Sequence, residues 1–90
     1  MTPKKAAEVW EIKSRLKKAR IGKGLTQAEL SEKSGVPLVC IIHYENKLRD
    51  IDGAKLETLC NLCLALDCKI EDIIENPETI EKLRIMQKNN

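Results

Sequence analysis

The stretch Thr26-Gln-Ala-Glu-Leu-Ser-Glu-Lys-Ser-Gly-Val-Pro-Leu-Val-Cys-Ile-Ile-His-Tyr-Glu-Asn46 holds two helix patterns separated by a single glycine, and the rest of the chain reads as packing around it. The first pattern opens with Thr26-x-x-Glu29, a capping box in which each side chain satisfies the other residue's orphan amide. Ala28 and Leu30, followed by Ser34-Gly35, give a short helix stopped by a residue free to take positive φ. The second pattern starts at Pro37, whose fixed φ suits a first helical position. Its inward face is Ile41 and Tyr44, and Val36 fills the corner between the two helices.

Working outward, Arg20-Ile21, Gly24-Leu25, Gln27-Ala28-Glu29-Leu30, Lys33, Gly35, Ile41 and Glu45-Asn46 stand at the spacing of the Cro and phage-repressor type (XRE) helix-turn-helix family. The chain resembles that family over residues 12–75. A capped helix, a glycine and a second helix occur in many bundles, so the specificity of the resemblance lies in the Leu-Thr-Gln-Ala-Glu-Leu core and the Glu-Asn pair. It implies an all-α, five-helix domain and a sequence-specific DNA-binding transcriptional regulator, acting as a repressor and as a homodimer on an inverted repeat. Residues 36–46 would be the recognition helix. Arg20 and Glu45 match positions that pair as a structural salt bridge in phage repressors.

Ninety residues make one small domain with one core. Phe is absent and Trp and Tyr occur once each, so that core is aliphatic and favours a helical bundle over a sandwich. No apolar run approaches the ~18 residues of a membrane span, and the lysine-bearing start lacks a signal peptide's apolar stretch. A cytoplasmic protein without membrane association is expected. The net charge of +2 conceals a division: residues 1–24 carry eight Lys or Arg against two Glu, giving +6, and the remainder eight against twelve, giving −4. Such a split suits one face turned to a polyanion and another to solvent.

Three segments follow: a basic extension of the first helix at 1–11, the helix-turn-helix domain at 12–75 and a C-terminal helix or tail at 76–90. Thr2-Pro3 caps and opens a helix that runs to about Ile21 with Val9, Ile12, Leu16 and Ala19 in phase, and Trp10 beside that stripe seals the core edge, the favoured reading, or a dimer contact. Gly22 and Gly24 end it. Lys47 to Gly53 is polar and reads as the loop out of the recognition helix. A fourth helix is expected over about 54–66 with Leu56, Leu59, Leu62 or Cys63, and Leu66 inward. Asp67 stands where the family usually ends that helix with Gly, and Asp tolerates the αL geometry. Lys69 replaces a Ser or Thr cap before a fifth helix, Ile70 to Ile74. Asn76-Pro77-Glu78 announces a sixth, with Ile80 and Leu83 on one side, that dimerises, docks on the core or stays loosely ordered.

Cys60-x-x-Cys63 with Cys68 and His43 offers a thiolate and imidazole set for zinc, but both members of the motif fall within one helix, and Cys63 takes an inward position where the family commonly has Ala. Small buried thiols suit such a site, so no metal and no cofactor are expected. Disulfides do not persist in a reducing cytosol. His43, the only histidine, has no Ser or Asp constellation, and no glycine-rich phosphate loop occurs, so catalysis is not expected.

The resemblance also distributes DNA roles. Gln27, beside the cap Thr26, matches the family's phosphate-contacting glutamine at a helix N-terminus. Lys17, Lys18, Lys23, Lys47 and Arg49 would add salt-dependent charge neutralisation. The recognition helix from Pro37 to Asn46 departs from the family: positions commonly polar are here Leu38, Val39, Ile42 and His43. Apolar side chains read thymine methyls, but these four supply no bidentate Arg to guanine or Gln to adenine. An apolar surface of this kind also fits an alternative, a protein-interaction module with an antitoxin-like or regulatory partner.

Overall fold

A computed structural model describes residues 12–88. Five α-helices follow one another: α1 (Arg15–Gly22), α2 (Gln27–Ser34), α3 (Leu38–Glu45), α4 (Leu56–Leu66) and α5 (Pro77–Lys88). Single 3₁₀ turns stand at Ile51–Gly53 and Ile70–Asp72, and no strand occurs among the described residues. Leu16, Leu30, Ile41, Leu62, Leu66 and Ile73 are the fully buried side chains at the centre. They come from all of the first four helices and the second 3₁₀ turn's exit, so the core exists only when these elements pack together.

α1 begins later than its apolar spacing suggests. Ser14 breaks the helix: it is extended at φ −90°, ψ 123°, and its Oγ accepts from Lys17 N at 3.1 Å. The Arg15 amide, a second orphan donor of the first turn, reaches the carboxylate of Glu75 at 2.8 Å. Two acceptors thus fix the start at Arg15, and Ile12 lies before the helix rather than within it. Thr2, Pro3, Val9 and Trp10, and the basic extension that holds them, lie outside the described residues.

The two central helices follow their local signals. Thr26 N donates to Glu29 Oε1 at 2.8 Å and Glu29 N to Thr26 Oγ1 at 3.0 Å, completing the box, and Gly35 takes the αL conformation at φ 77°. Pro37 is the N-cap of α3 instead of its first residue, because its ψ of 139° is extended while its carbonyl already accepts from Cys40 and Ile41. The turn satisfies its own backbone: Ser31 Oγ donates to Val36 O at 2.7 Å, and Val36 N donates to Ser34 Oγ at 3.1 Å.

Beyond α3 the chain departs from expectation in three places. Ala54 is extended and α4 starts at Leu56, whose side chain is 68% exposed because it stands at the tip of the helix where no element covers it. Leu59, Leu62, Cys63 and Leu66 do face inward, and Asp67 ends α4 in the αL region at φ 51°, ψ 53°. The segment expected as a fifth helix is a single 3₁₀ turn. Lys69 N donates to Asp72 Oδ2 at 2.9 Å, so a carboxylate three residues on substitutes for the missing cap. The turn ends at Ile73, which is buried together with Ile74. α5 then opens as its cap predicts, with Glu78 N donating to Asn76 Oδ1 at 2.9 Å. It docks on the core: Ile80 is buried, Leu83 packs against the cluster, and Gln87 Nε2 donates to the buried Glu71 at 2.7 Å.

Candidate nucleic-acid interface

Arg20 in the last turn of α1 and Glu45 at the end of α3 are both almost completely buried, a placement that charged side chains tolerate only when paired. Arg20 Nε donates to Glu45 Oε2 at 2.7 Å and Nη2 to Oε1 at 3.0 Å. This is the two-pronged geometry that makes Arg and carboxylate a directional pair. Arg20 Nη1 donates to the Leu25 carbonyl at 2.8 Å, and Gln27 Nε2 donates to Glu45 Oε1 at 3.0 Å. One cluster therefore joins the end of α1, the loop before α2, the first residue of α2 and the last residue of α3. Its consequence is orientational: α3 cannot roll about its axis without breaking charged hydrogen bonds in a desolvated site.

With Ile41, Tyr44 and Glu45 turned inward, the 3.6-residue period puts Val39, Ile42, His43 and Asn46 on the opposite face, with Leu38 at its leading edge. Val39 is 54% and Leu38 40% exposed, and Ile42 and His43 are half-buried. α3 closes on an αL residue, Lys47 at φ 63°, with Leu48 N donating to His43 O at 2.8 Å and Lys47 N to Tyr44 O at 3.2 Å. Beside this face stands the α2 N-terminus. The capping box uses the amides of Thr26 and Glu29, while those of Gln27 and Ala28 have no intrahelical acceptor by their position.

A short helix held by an ionic cluster, offering an outward face beside a helix N-terminus, is the arrangement of a helix-turn-helix. A helix-turn-helix family model matches residues 16–73. The chain belongs to the Cro and phage-repressor type helix-turn-helix family. No curated protein and no solved structure gives a significant match. The family is one of DNA-binding transcription regulators, not of enzymes, and the chain carries such a regulator's DNA-binding domain.

The helix-turn-helix domain divides its basic residues into two groups. Lys47 and Arg49 follow α3 directly; Lys47 Nζ lies 3.1 Å from Glu75 Oε2, and Arg49 Nη1 donates to Cys40 Sγ at 3.3 Å. Lys17 sits on the flank of α1 nearer Arg20. Lys18 and Lys23 line a hollow of about 410 Å³ on the other flank together with Leu66 and Asp72, and Lys23 Nζ stands 4.0 Å from Asp67 at the end of α4. The structure thus brings Thr26, Gln27, Leu38, Val39, Ile42, His43, Asn46, Lys47 and Arg49 into the α2–α3 region and sets Lys23 apart from it.

Two features of the domain had no readable signal in sequence. Gln27 serves the Glu45 carboxylate with one amide hydrogen, a partner eighteen residues on. Glu75 receives both the Arg15 amide and the Lys47 ammonium, and Asp52 accepts from the amides of Glu75 at 2.7 Å and Asn76 at 2.8 Å, so the loop after α3 is anchored to the segment before α5.

The cysteines lie elsewhere. Cys63 and Cys68 meet where α4 ends, with Cys68 N donating to Cys63 O at 3.1 Å, while Cys60 is exposed. Burial, with the neighbouring Cys68 next, pushes the Cys63 thiol up to about 12, and burial raises Cys68 as well. Both are protonated at neutral pH, the form that packs in an apolar setting. Among the described residues no group of three or more His, Cys, Asp or Glu is placed to hold a metal ion, and no helix is long and apolar enough to cross a membrane.

Proposed function

We propose that this protein is a sequence-specific transcriptional repressor that binds an inverted-repeat operator as a homodimer, with α3 in the major groove. The observation that carries the reading is the Arg20–Glu45–Gln27 cluster, which fixes α3 relative to the α2 N-terminus and so fixes which side chains a groove would meet. The amides of Gln27 and Ala28, with the second amide hydrogen of Gln27, meet a phosphate and set the register. Lys17, Lys47 and Arg49 neutralise flanking phosphates, and Lys23, on the far flank, contributes only to the longer-range field. His43 and Asn46 supply the polar reading tips, and Leu38, Val39 and Ile42 the apolar ones.

One recognition helix covers only a few base pairs, so paired half-sites ~34 Å apart or a multiple of that are expected of the dimer. Leu56 and Leu64 of α4 and Ile85 and Met86 of α5 are exposed apolar side chains available for self-association. A second reading, binding of a protein partner through α3, is favoured by the same exposure of Leu38 and Val39. Selection from random oligonucleotides at two salt concentrations separates the two. An enriched palindromic motif is the expected result; salt-sensitive binding without sequence preference would overturn specific repression. Within an enriched site, Gln27→Ala should weaken all sequences alike, whereas His43→Ala should change preference at one base position.

A further inference from the structure

The leading half of the α3 reading face is hydrocarbon. Leu38 and Val39 are exposed, Ile42 is half-buried beside them, and none of the three donates or accepts a hydrogen bond. Such a surface cannot distinguish the donor and acceptor edges of base pairs. The one base-edge feature it meets favourably is a methyl group, which lies on C5 of the pyrimidine ring and projects into the major groove. From Val39 to Ile42 the helix rises about 4.5 Å. Base pairs are spaced about 3.4 Å apart, so the three side chains cover one or two adjacent pairs.

We infer that α3 reads C5-methyl groups as such, so that 5-methylcytosine serves in place of thymine opposite Leu38, Val39 and Ile42, and that cytosine C5 methylation raises occupancy of the site. This rests on the DNA-binding reading above and narrows its ligand class. The methyl of 5-methylcytosine leaves the ring from the same carbon as that of thymine. Exchanging the two base pairs swaps the neighbouring O4 acceptor for an N4 donor and the partner's N6 donor for an O6 acceptor, differences that hydrocarbon does not distinguish. His43, the polar neighbour on the same face, does sense such a swap, so methyl equivalence is confined to the positions under the apolar triad.

The test uses the full chain and its selected operator, with affinity read by fluorescence anisotropy at one salt concentration. Each thymine is replaced in turn by uracil opposite its adenine, and by cytosine and 5-methylcytosine with guanine placed opposite to keep the pair. At one or two adjacent positions uracil should weaken binding about fourfold, cytosine at least as much, and 5-methylcytosine should recover about fourfold over cytosine. Val39→Ser should shrink the thymine-to-uracil ratio at one of those positions. Equal affinity for thymine and uracil at every position, or for cytosine and 5-methylcytosine at every position, overturns the inference while leaving a defined operator intact. Selection that yields no motif overturns the specific-DNA reading and this inference with it.

Discussion

On the inward face of α3 a carboxylate, Glu45, is 7% exposed and holds three donor groups; on the outward face of the same eight-residue helix a valine, Val39, is 54% exposed. In a helix whose only task is packing, the apolar residues lie inside and the charged ones outside. Here both are displaced, and each displacement serves position or contact in place of burial. A buried ion pair adds little net stability over a hydrophobic replacement, but it has one geometry. An exposed aliphatic face adds nothing to the isolated fold and is useful only against something else. The inward face therefore sets orientation, and the outward face is the one proposed above to meet DNA.

Removing the inward charge should have the largest effect. Glu45→Ala leaves Arg20 buried without its partner and should lower unfolding free energy by ~3 to 5 kcal/mol, measured by urea denaturation. Arg20→Ala should cost a similar amount, and the double variant clearly less than the sum, since the two residues form one unit. An additive double variant would mean that the cluster does not act as a unit.

A second inward group contrasts with Glu45, since it is held neutral instead of charged. Cys63 has its thiol raised from 9.0 to about 12 by burial. The unfolded chain releases that proton first as pH rises, so the native state holds more protons between about pH 9 and 12 and stability falls across that window. Its contribution is intact below pH 9. Other groups titrate in the same range, so the readout is the difference: Cys63→Ala should flatten the decline relative to the parent chain. Parallel curves would show that burial does not hold the thiol neutral.

The junction of the two faces gives a smaller effect. Lys47 adopts φ 63°, where a side chain is strained by ~1 kcal/mol, and its ion pair with Glu75 is half-exposed and worth little. Lys47→Gly should raise stability by ~0.5 to 1 kcal/mol while lowering the salt dependence of DNA binding by about one phosphate contact. A variant that is destabilised would show that the Glu75 anchor outweighs the strain.

What could be read from sequence follows the range of the interactions. The Thr26-x-x-Glu29 box, the αL glycine at 35, the αL aspartate at 67 and the Asn76-Pro77 start are decided within four residues of chain, and all were legible. Ser14 is equally local as a cap, but an unbroken apolar spacing through Ile12 and Leu16 masked it, and its supporting acceptor, Glu75, lies sixty residues away from Arg15. The 3₁₀ turn at Ile70–Asp72 stands where a helix was expected, because the apolar spacing of Ile70, Ile73 and Ile74 fits one turn as well as two and does not set its length. Leu56 looked inward by period and is exposed because a helix tip has no neighbour. Around the site, the inward face of α3, Ile41 and Tyr44, was visible from spacing, and the Arg20–Glu45 pair from family resemblance. The Gln27 bond to Glu45 and the Lys47 tie to Glu75 were not, since neither residue type in its local context announces a distant partner.

The smallest stability effect is expected on the outward face, and there the central claim is most exposed. Val39→Ser should leave the urea midpoint almost unchanged, within ~0.5 kcal/mol, because little of that side chain is buried in the fold. Its affinity for the selected operator, measured by anisotropy at fixed salt on the folded variant, should fall about tenfold as an aliphatic contact with the groove is lost. Unchanged affinity in a fully folded Val39→Ser protein would contradict the assignment of this face to DNA.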